Sequence, residues 1–429
     1  MGTLAVACAL VLCQGHCAQK PTDLEDLSRR AFQFFVDNSD SKTGFTLDRA
    51  GNFGKEPVDN KVASIASTGF SLAAYAVGAE RGWISKSKAV AKVIRTLDAV
   101  ESKAPQEHGW YYHWLHWQTG ERQWQSEVST IDTGIFLCGM IVAEQGLHDR
   151  GITERAERIL SKVDWKWALT DSGTKPNELF IGHGWKPESG FLQWRWAGYC
   201  ELLLLYVLGY GAYDDMPKES WSRIEKPLVE YKGRELIAGG PLFLHQMSHV
   251  FVDFKGKRDP QGFDYWVASR NAVLANRDYC IENPKKFAGY SAHIWGLSAS
   301  DGPDGYTAHG APGWIEDDGT LAPSSAVACA MFAPREAKAA ARDFKELYPE
   351  TYGKYGYTIA FNPTKKWRSP DVIGIDLGQM MLSIENEKDG LVHKWFMSHP
   401  IVKRGMQRIG FRVTKEGDAT KRPLRVEPR

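Results

Sequence analysis

Net charge is almost absent from this chain: 53 lysines and arginines stand against 52 acids, leaving +1 over 429 residues. Binders of nucleic acid or of anionic membranes carry a basic excess or stripe, so neither partner is favoured. Three fingerprints are also missing. No GxGxxG follows a strand, no GxxxxGK[ST] appears, and no GxSxG elbow is present. Rossmann hydride transfer, P-loop phosphoryl transfer and α/β-hydrolase chemistry all lose weight. Cysteine is sparse and unpatterned. Beyond the first eighteen residues only Cys138, Cys200, Cys280 and Cys329 remain, in apolar or aromatic contexts without CxxC spacing. Buried free thiols are expected, not a disulfide framework or a zinc site. Low-complexity linkers and charge runs are lacking too, and 43% hydrophobic with 24% charged residues is ordinary globular composition.

What the chain has in plenty is aromatic residues: 16 Trp, 16 Tyr and 19 Phe. Many tryptophans sit beside Gly, His or acids, as in "HGWYYHWLHW" (108–117), "HGWKPESGFLQWRW" (183–196) and "HGAPGWIEDDG" (309–319). Indoles in polar, Gly-rich loops suit the flat apolar face of a sugar ring; the bland alternative is that they cover loop cores. Trp185 and Trp314 are the candidates for stacking. The first residues, "MGTLAVACALVLCQGHCA" (1–18), read as the apolar core of a secretory signal ending near Ala18. They lack the usual positive start, as a truncated signal would, and are too short to span a bilayer. Export to the periplasm or beyond is the expectation, with residues 19–429 as one domain.

Helical patterns recur over 22–38, 64–80, 87–103, 128–147, 150–163, 196–211, 219–229, 264–281, 324–332, 335–347, 375–386 and 391–397. About twelve helices joined by unequal, aromatic loops predict an all-α fold, an (α/α)6 toroid whose inner helices are apolar on nearly all sides. "IDTGIFLCGMIVA" and "WAGYCELLLLYVLGYG" fit inner positions.

Four stretches could carry chemistry. In "WRWAGYCELLLLYVLGYG" (194–211) Glu201 is the only acid in an apolar run. A carboxyl placed there is either paired or holds its proton, and a protonated Glu near pH 7 is what a general acid requires. In "SEVSTIDTG" (126–134), Glu127 and Asp132 stand among hydroxyl residues before an apolar helix. They read either as an N-terminal cap or as a catalytic acid pair; one cap needs only one such residue. In "FLHQMSHVFVDFKGKRD" (243–259), His245 and His249 have i, i+4 spacing but lack the Glu and third ligand of a metal site. Gln246, His249 and Asp253 are better suited to bonding hydroxyls, and Arg270 on the next helix could orient a carboxylate or a sugar. Glu316, Asp317 and Asp318 form a loop without the alternating acids of a calcium site. No metal and no cofactor are expected.

As an ordered set, these motifs resemble the glucoamylase-like bacterial family that includes the endo-β-1,2-glucanases of glycoside hydrolase family 144 and relatives active on cyclic β-1,2-glucan. The likeness runs from about residue 28 to 412 and includes "TGFTLDR" (43–49), "HGWYYHW" (108–114), "SEVSTIDTG", "PLFLHQMSHVFVDF" (241–254), "SRNAVLANRDYC" (269–280), "WGLSASDGPDGY" (295–306) and "GIDLGQMMLSIENEKDGLV" (374–392). The resemblance implies an (α/α)6 fold, metal-free hydrolysis and a neutral glucan as partner. It makes Glu201 the first choice for proton donor, with Glu127 and Asp132 activating water or binding sugar. It implies that Asp48, Arg49, Tyr112, His113, Tyr199, Gln246, His249, Asp253, Arg270 and Asp317 line the cleft. The stretch "GHGWKPESG" (182–190) departs from the family pattern and leaves linkage and endo or exo mode open.

Overall fold

Two kinds of helix alternate along this chain, and the difference places the site. The structure is a computed structural model describing residues 23–54, 61–313 and 315–414. The expected signal segment and Trp314 lie outside the described residues. The helices are α1 (Asp23–Asp37), α2 (Ile65–Glu80), α3 (Lys86–Lys103), α4 (Thr130–Leu147), α5 (Arg150–Lys162), α6 (Trp165–Thr170), α7 (Leu203–Ala212) and α8 (Ser220–Arg223). They continue with α9 (Phe243–Gln246), α10 (Tyr265–Glu282), α11 (Pro323–Val327), α12 (Pro334–Leu347), α13 (Gly374–Asp389), α14 (Leu391–Ser398) and α15 (Pro400–Ile409).

Helices α2, α4 and α7 are buried almost all round, as their unbroken apolar sequences require. By contrast α5 buries only the stripe Ile152, Ala156, Ile159, and α12 only Ala337, Ala340, Ala341 and Phe344. The buried helices touch in succession. α2 packs on α4, and α4 on α7. Ser248, just past α9, accepts from the Leu204 amide of α7 at 3.0 Å. Gln246 of α9 donates to the Ser325 carbonyl of α11 at 2.8 Å. Met331 donates to Ser383 of α13 at 3.2 Å, and α13 packs back on α2. At the α2–α4 crossing two glycines let main chains meet. A Cβ on Gly139 would lie 1.9 Å from the Gly69 carbonyl oxygen, and one on Gly69 would lie 2.4 Å from the Phe136 Cα.

Short strands collar the N-terminal ends of these helices. Val62–Ser64 leads into α2 and pairs with Trp114–His116; Val128–Ser129 leads into α4 and pairs with Gly184–Lys186; Asp371–Ile373 leads into α13 and pairs with Arg49–Gly51. The fold is therefore a helix-rich single domain without a closed barrel, and not purely α. Among the described residues no helix is long and apolar enough to cross a membrane.

Three expected helices differ. The stretch 219–229 is helical only over Ser220–Arg223, because Pro227 interrupts it and Lys232–Gly233, both at positive φ, turn Leu228–Tyr231 back against Arg234–Ile237. The stretch 196–211 starts its helix only at Leu203, since Tyr199 instead bonds the Glu225 carbonyl, so Glu201 stands in the turn ahead of α7. The stretch 324–332 is helical from Pro323 to Val327 and then continues in turns.

Candidate active site

The helix start at "SEVSTIDTG" uses one residue as its cap and leaves the acids free for other work. Ser129 accepts from the Asp132 amide at 3.2 Å, and its hydroxyl donates to Asp132 Oδ2 at 2.5 Å. Thr130 and Thr133 tie the turn to its neighbours, bonding the Gly182 and Ser129 carbonyls at 2.7 Å each. Asp132 is thereby fixed with its other oxygen turned toward His113, 3.6 Å from Nε2.

His113 is the centre of this half. Its amide donates to the Glu127 carbonyl, and its Nδ1 lies 2.9 Å from Glu127 Oε1. The imidazole stacks on Trp114, centroids 3.9 Å apart and planes within 16°. Burial alone would lower its pKa, but Asp132, Glu127 and Asp48 outweigh it and push the group up to about 9. Glu127 moves the opposite way. Burial would raise it, yet the bond and charge of His113 hold it below the usual glutamate range. Glu127 Oε1, Asp132 and His113 each offer a ligand atom within 4.8 Å of the others. An imidazolium presents N–H groups and no lone pair, so with His113 protonated the trio pairs internally, and a cation held there would first displace that proton.

Arg49 centres the other half. Its guanidinium reaches Asp301 at 3.2 Å, Asp371 at 3.5 Å and Asp48 at 3.7 Å. The strand pair that carries Arg49 also carries α13, whose Gly374 amide bonds the Asp48 carbonyl at 2.7 Å. Asp376, in the first turn of α13, is pushed up to about 7 by burial and by the charges of Asp48 and Asp301, with Arg49 opposing. Asp48 rises to about 6 through burial, partly offset by Arg49 and His113. It senses both cations and so joins the two halves. The exposed Tyr306, opposite Asp301 in the hairpin Ala299–Ala308, is within electrostatic reach of Asp376, Asp301 and Asp48.

Glu201 completes the group. It is raised by burial first and by Asp132 as well, and among the described residues its carboxyl bonds within its own turn, to Cys200 and its own main chain. The residue is partly accessible, so the acid is desolvated without being sealed off. The arrangement thus sets carboxyls whose pKa is raised (Glu201, Asp376, Asp48) beside one held low by a cation (Glu127), the spread of acidities that acid–base cleavage draws on.

The "Glycoamylase" family model matches residues 193–400. Over those residues, just under half of its length, the chain is similar to that family. An exo β-1,2-glucooligosaccharide sophorohydrolase (non-reducing end) from Parabacteroides distasonis is 25% identical, over 90% of this chain and 57% of that relative. This chain therefore spans little more than half of that relative's length. An endo-β-1,2-glucanase from Chitinophaga pinensis, solved with sophorotriose and glucose, is 27% identical with a TM-score of 0.84, covering 91% of this chain and 98% of that one. A β-1,2-glucanase structure from Parabacteroides distasonis shares the fold, with a TM-score of 0.79 and 24% identity, over 91% of this chain and 60% of that one.

Several expected site residues stand elsewhere. Tyr112 bridges to Val128 on the strand and packs under Arg122, 4.7 Å from its ring centroid. Trp185 pairs with Val128, beside Glu127 in sequence, and sets its edge against Trp167. Tyr199 is buried, its hydroxyl 2.9 Å from Ser269, which in turn lies 3.1 Å from His249 Nε2. Gln246 is spent on Ser325 and Cys329 between helices. Asp253 pairs with Lys257 at 2.8 Å. Arg270 bonds the Phe332 carbonyl and lines a cavity of about 290 Å³ with Asn386 and His393. Asn386 is ten residues along α13 from Asp376, about 15 Å by helical rise. Arg270 therefore stands well along α13 from Asp376, and His249, whose carbonyl bonds His393, follows Ser248, which donates to the Glu201 carbonyl at 2.6 Å. Asp317 is held by the hydroxyls of Tyr290 (2.6 Å) and Tyr279 (3.0 Å) and by the Gly319 amide. Its role there is to close a loop.

Sequence reasoning missed Asp376, Asp301 and Asp371. A signal for the first existed: "GIDLG" (374–378) repeats the Ile-Asp-Xaa-Gly of "TIDTG" (130–134), and both open a buried helix.

Proposed function

We propose that this chain is a glycoside hydrolase that cleaves β-1,2-glucan by carboxylate acid–base catalysis. The observation that carries the reading is Glu201: a desolvated, unpaired carboxyl with a raised pKa beside Asp132, ahead of a buried helix. Similarity to the Chitinophaga endo-β-1,2-glucanase over nearly its whole length supports the substrate class. The succession of buried helices from α2 round to α13 and back supports an (α/α)6 toroid. Export stays a proposal drawn from residues 1–18.

Glycosidic bonds break through an oxocarbenium-like state, with one carboxyl protonating the leaving oxygen and a second serving water or attacking directly. Glu201 is the donor. The base is best served by a carboxyl with no cation paired to it. Glu127 Oε1 is engaged by His113, and Asp132 by His113 and Ser129. Among the described residues Asp376 bonds its own main chain and sits near neutrality, which favours it over the Glu127–Asp132 pair as the group that takes the proton from water. Water attack through a base inverts the anomeric centre. Incubation with linear β-1,2-glucan followed by NMR of the first products tests this: the α-anomer is expected, and direct build-up of the β-anomer refutes it. Glu201→Gln should lower turnover by about 10³ while keeping glucan affinity; a variant as active as wild type removes the donor assignment. A spread of oligosaccharides indicates endo cleavage. A single small product would instead match the exo reading, which similarity to the Parabacteroides sophorohydrolase supports.

A further inference from the structure

Of the described tryptophans only Trp124 and Trp194 are mostly exposed, at 64% and 65%. Trp124 differs from Trp194 in what lies behind it. Its ring meets Trp114 edge to face at 5.6 Å, Trp114 stacks on His113 at 3.9 Å, and His113 bonds Glu127 at 2.9 Å. An aromatic staircase therefore leads from the carboxylates out to solvent and ends in a bare indole.

The backbone holds that indole out at a cost. Trp124 and Gln125 both lie in the left-handed region, φ +53° and +49°, which side-chain-bearing residues disfavour. Leaving an indole in water forgoes in addition the stabilisation its burial would contribute. Neighbouring Trp110, Trp165 and Trp167 are buried, so the local fold does cover indoles where it has no use for them exposed. Trp124 makes no hydrogen bond of its own ring nitrogen among the described residues.

We infer that Trp124 is a stacking platform for a glucosyl unit of the substrate lying several units from the bond that is cut. The inference rests on the glycosidase reading of the acid cluster and adds a chain-length preference to it. A flat indole face turned to water and continuous with the cluster accepts the apolar face of a pyranose ring without demanding a linkage. It raises affinity for long chains and leaves the chemical step alone. A substrate too short to reach it gains nothing.

Steady-state kinetics of Trp124→Ala on linear β-1,2-glucan and on the shortest oligosaccharide that wild type cleaves give the test. The expected result is a KM for the polymer raised about tenfold, with kcat/KM for the short substrate within about twofold. Trp124→Tyr should keep most of the polymer affinity, and Trp194→Ala should change neither substrate. Equal losses on both substrates, no loss on either, or the same effect from Trp194→Ala would overturn the platform. If wild type cleaves no β-1,2-glucan, the hydrolase reading fails separately. The platform is then judged by calorimetry of wild type and Trp124→Ala against linear β-glucans of several linkages. Weaker binding by the variant supports it; equal binding, or none by wild type, rejects it.

Discussion

The pattern Ile-Asp-Xaa-Gly opens both α4 and α13, yet its two aspartates live in different company. Asp132 meets a serine hydroxyl that caps its own helix and, 3.6 Å away, the protonated His113. Asp376 follows a helix start with no side-chain cap, and burial, then the charges of Asp48 and Asp301, lift it to about 7. The shared pattern sets where each carboxyl stands, three residues into a helix with a glycine behind. Partners far away in sequence then set its surroundings. Two copies of one local device are in this way set against a cation at Asp132 and against two acids at Asp376.

Four measurements break or sharpen that contrast. The largest effect is expected from Asp376→Asn, which should lower kcat by about 10³ with the fold intact, against about 10² or less for Asp132→Asn. Steady-state assays decide, and the reverse order would place the base on α4. Next comes stability. A carboxyl raised from 3.8 to about 7 favours the folded state fully below the unfolded value and loses that contribution as pH rises through 7. Asp376→Asn should therefore be the more stable protein above pH 7, by about 2–4 kcal/mol, with the gap closing toward pH 4 in denaturation curves. A gap independent of pH would contradict the raised value.

A smaller effect concerns the cation that Asp132 faces. His113, raised from 6.5 to about 9, stabilises the cluster fully below 6.5 and stops doing so as pH passes 9. His113→Gln should cost about tenfold in kcat/KM at pH 7 and remove the wild type's decline near pH 9. An unchanged alkaline limb would show that His113 does not set it. The smallest effect links the two acids across the cleft. Asp132 contributes to the raised pKa of Glu201, so Asp132→Asn should move the limb of the activity profile that Glu201 sets to lower pH. An upward shift would contradict that coupling.

The buried helices were legible because α2, α4 and α7 are apolar on every side, and Glu201 stood out as a lone acid in such a run. The motif around Glu127 and Asp132 was legible as a helix start with more polar groups than a cap needs. In the Arg49 half, Asp48 and Arg49 were named through the resemblance alone and Asp301 was not: it is 252 residues from Arg49, and no local spacing announces such a pairing. His245 and His249 have i, i+4 spacing in the sequence, but regular helix ends at Gln246, and turns carry His249 and Asp253 to separate partners. Asp317 looked like a cleft acid beside Trp314, and two tyrosine hydroxyls contributed by distant segments claim it instead.

The meeting of Gly69 and Gly139 bears on how this molecule can adapt. Interdigitated side chains can shuffle rotamers to absorb a misfit; peptide planes in direct contact have none to shuffle. The seat behind Asp132 is thus hard, while the strands and turns around it are thin and short. Fitting a different saccharide would proceed by rewriting that rim, with the helical bed left as it stands.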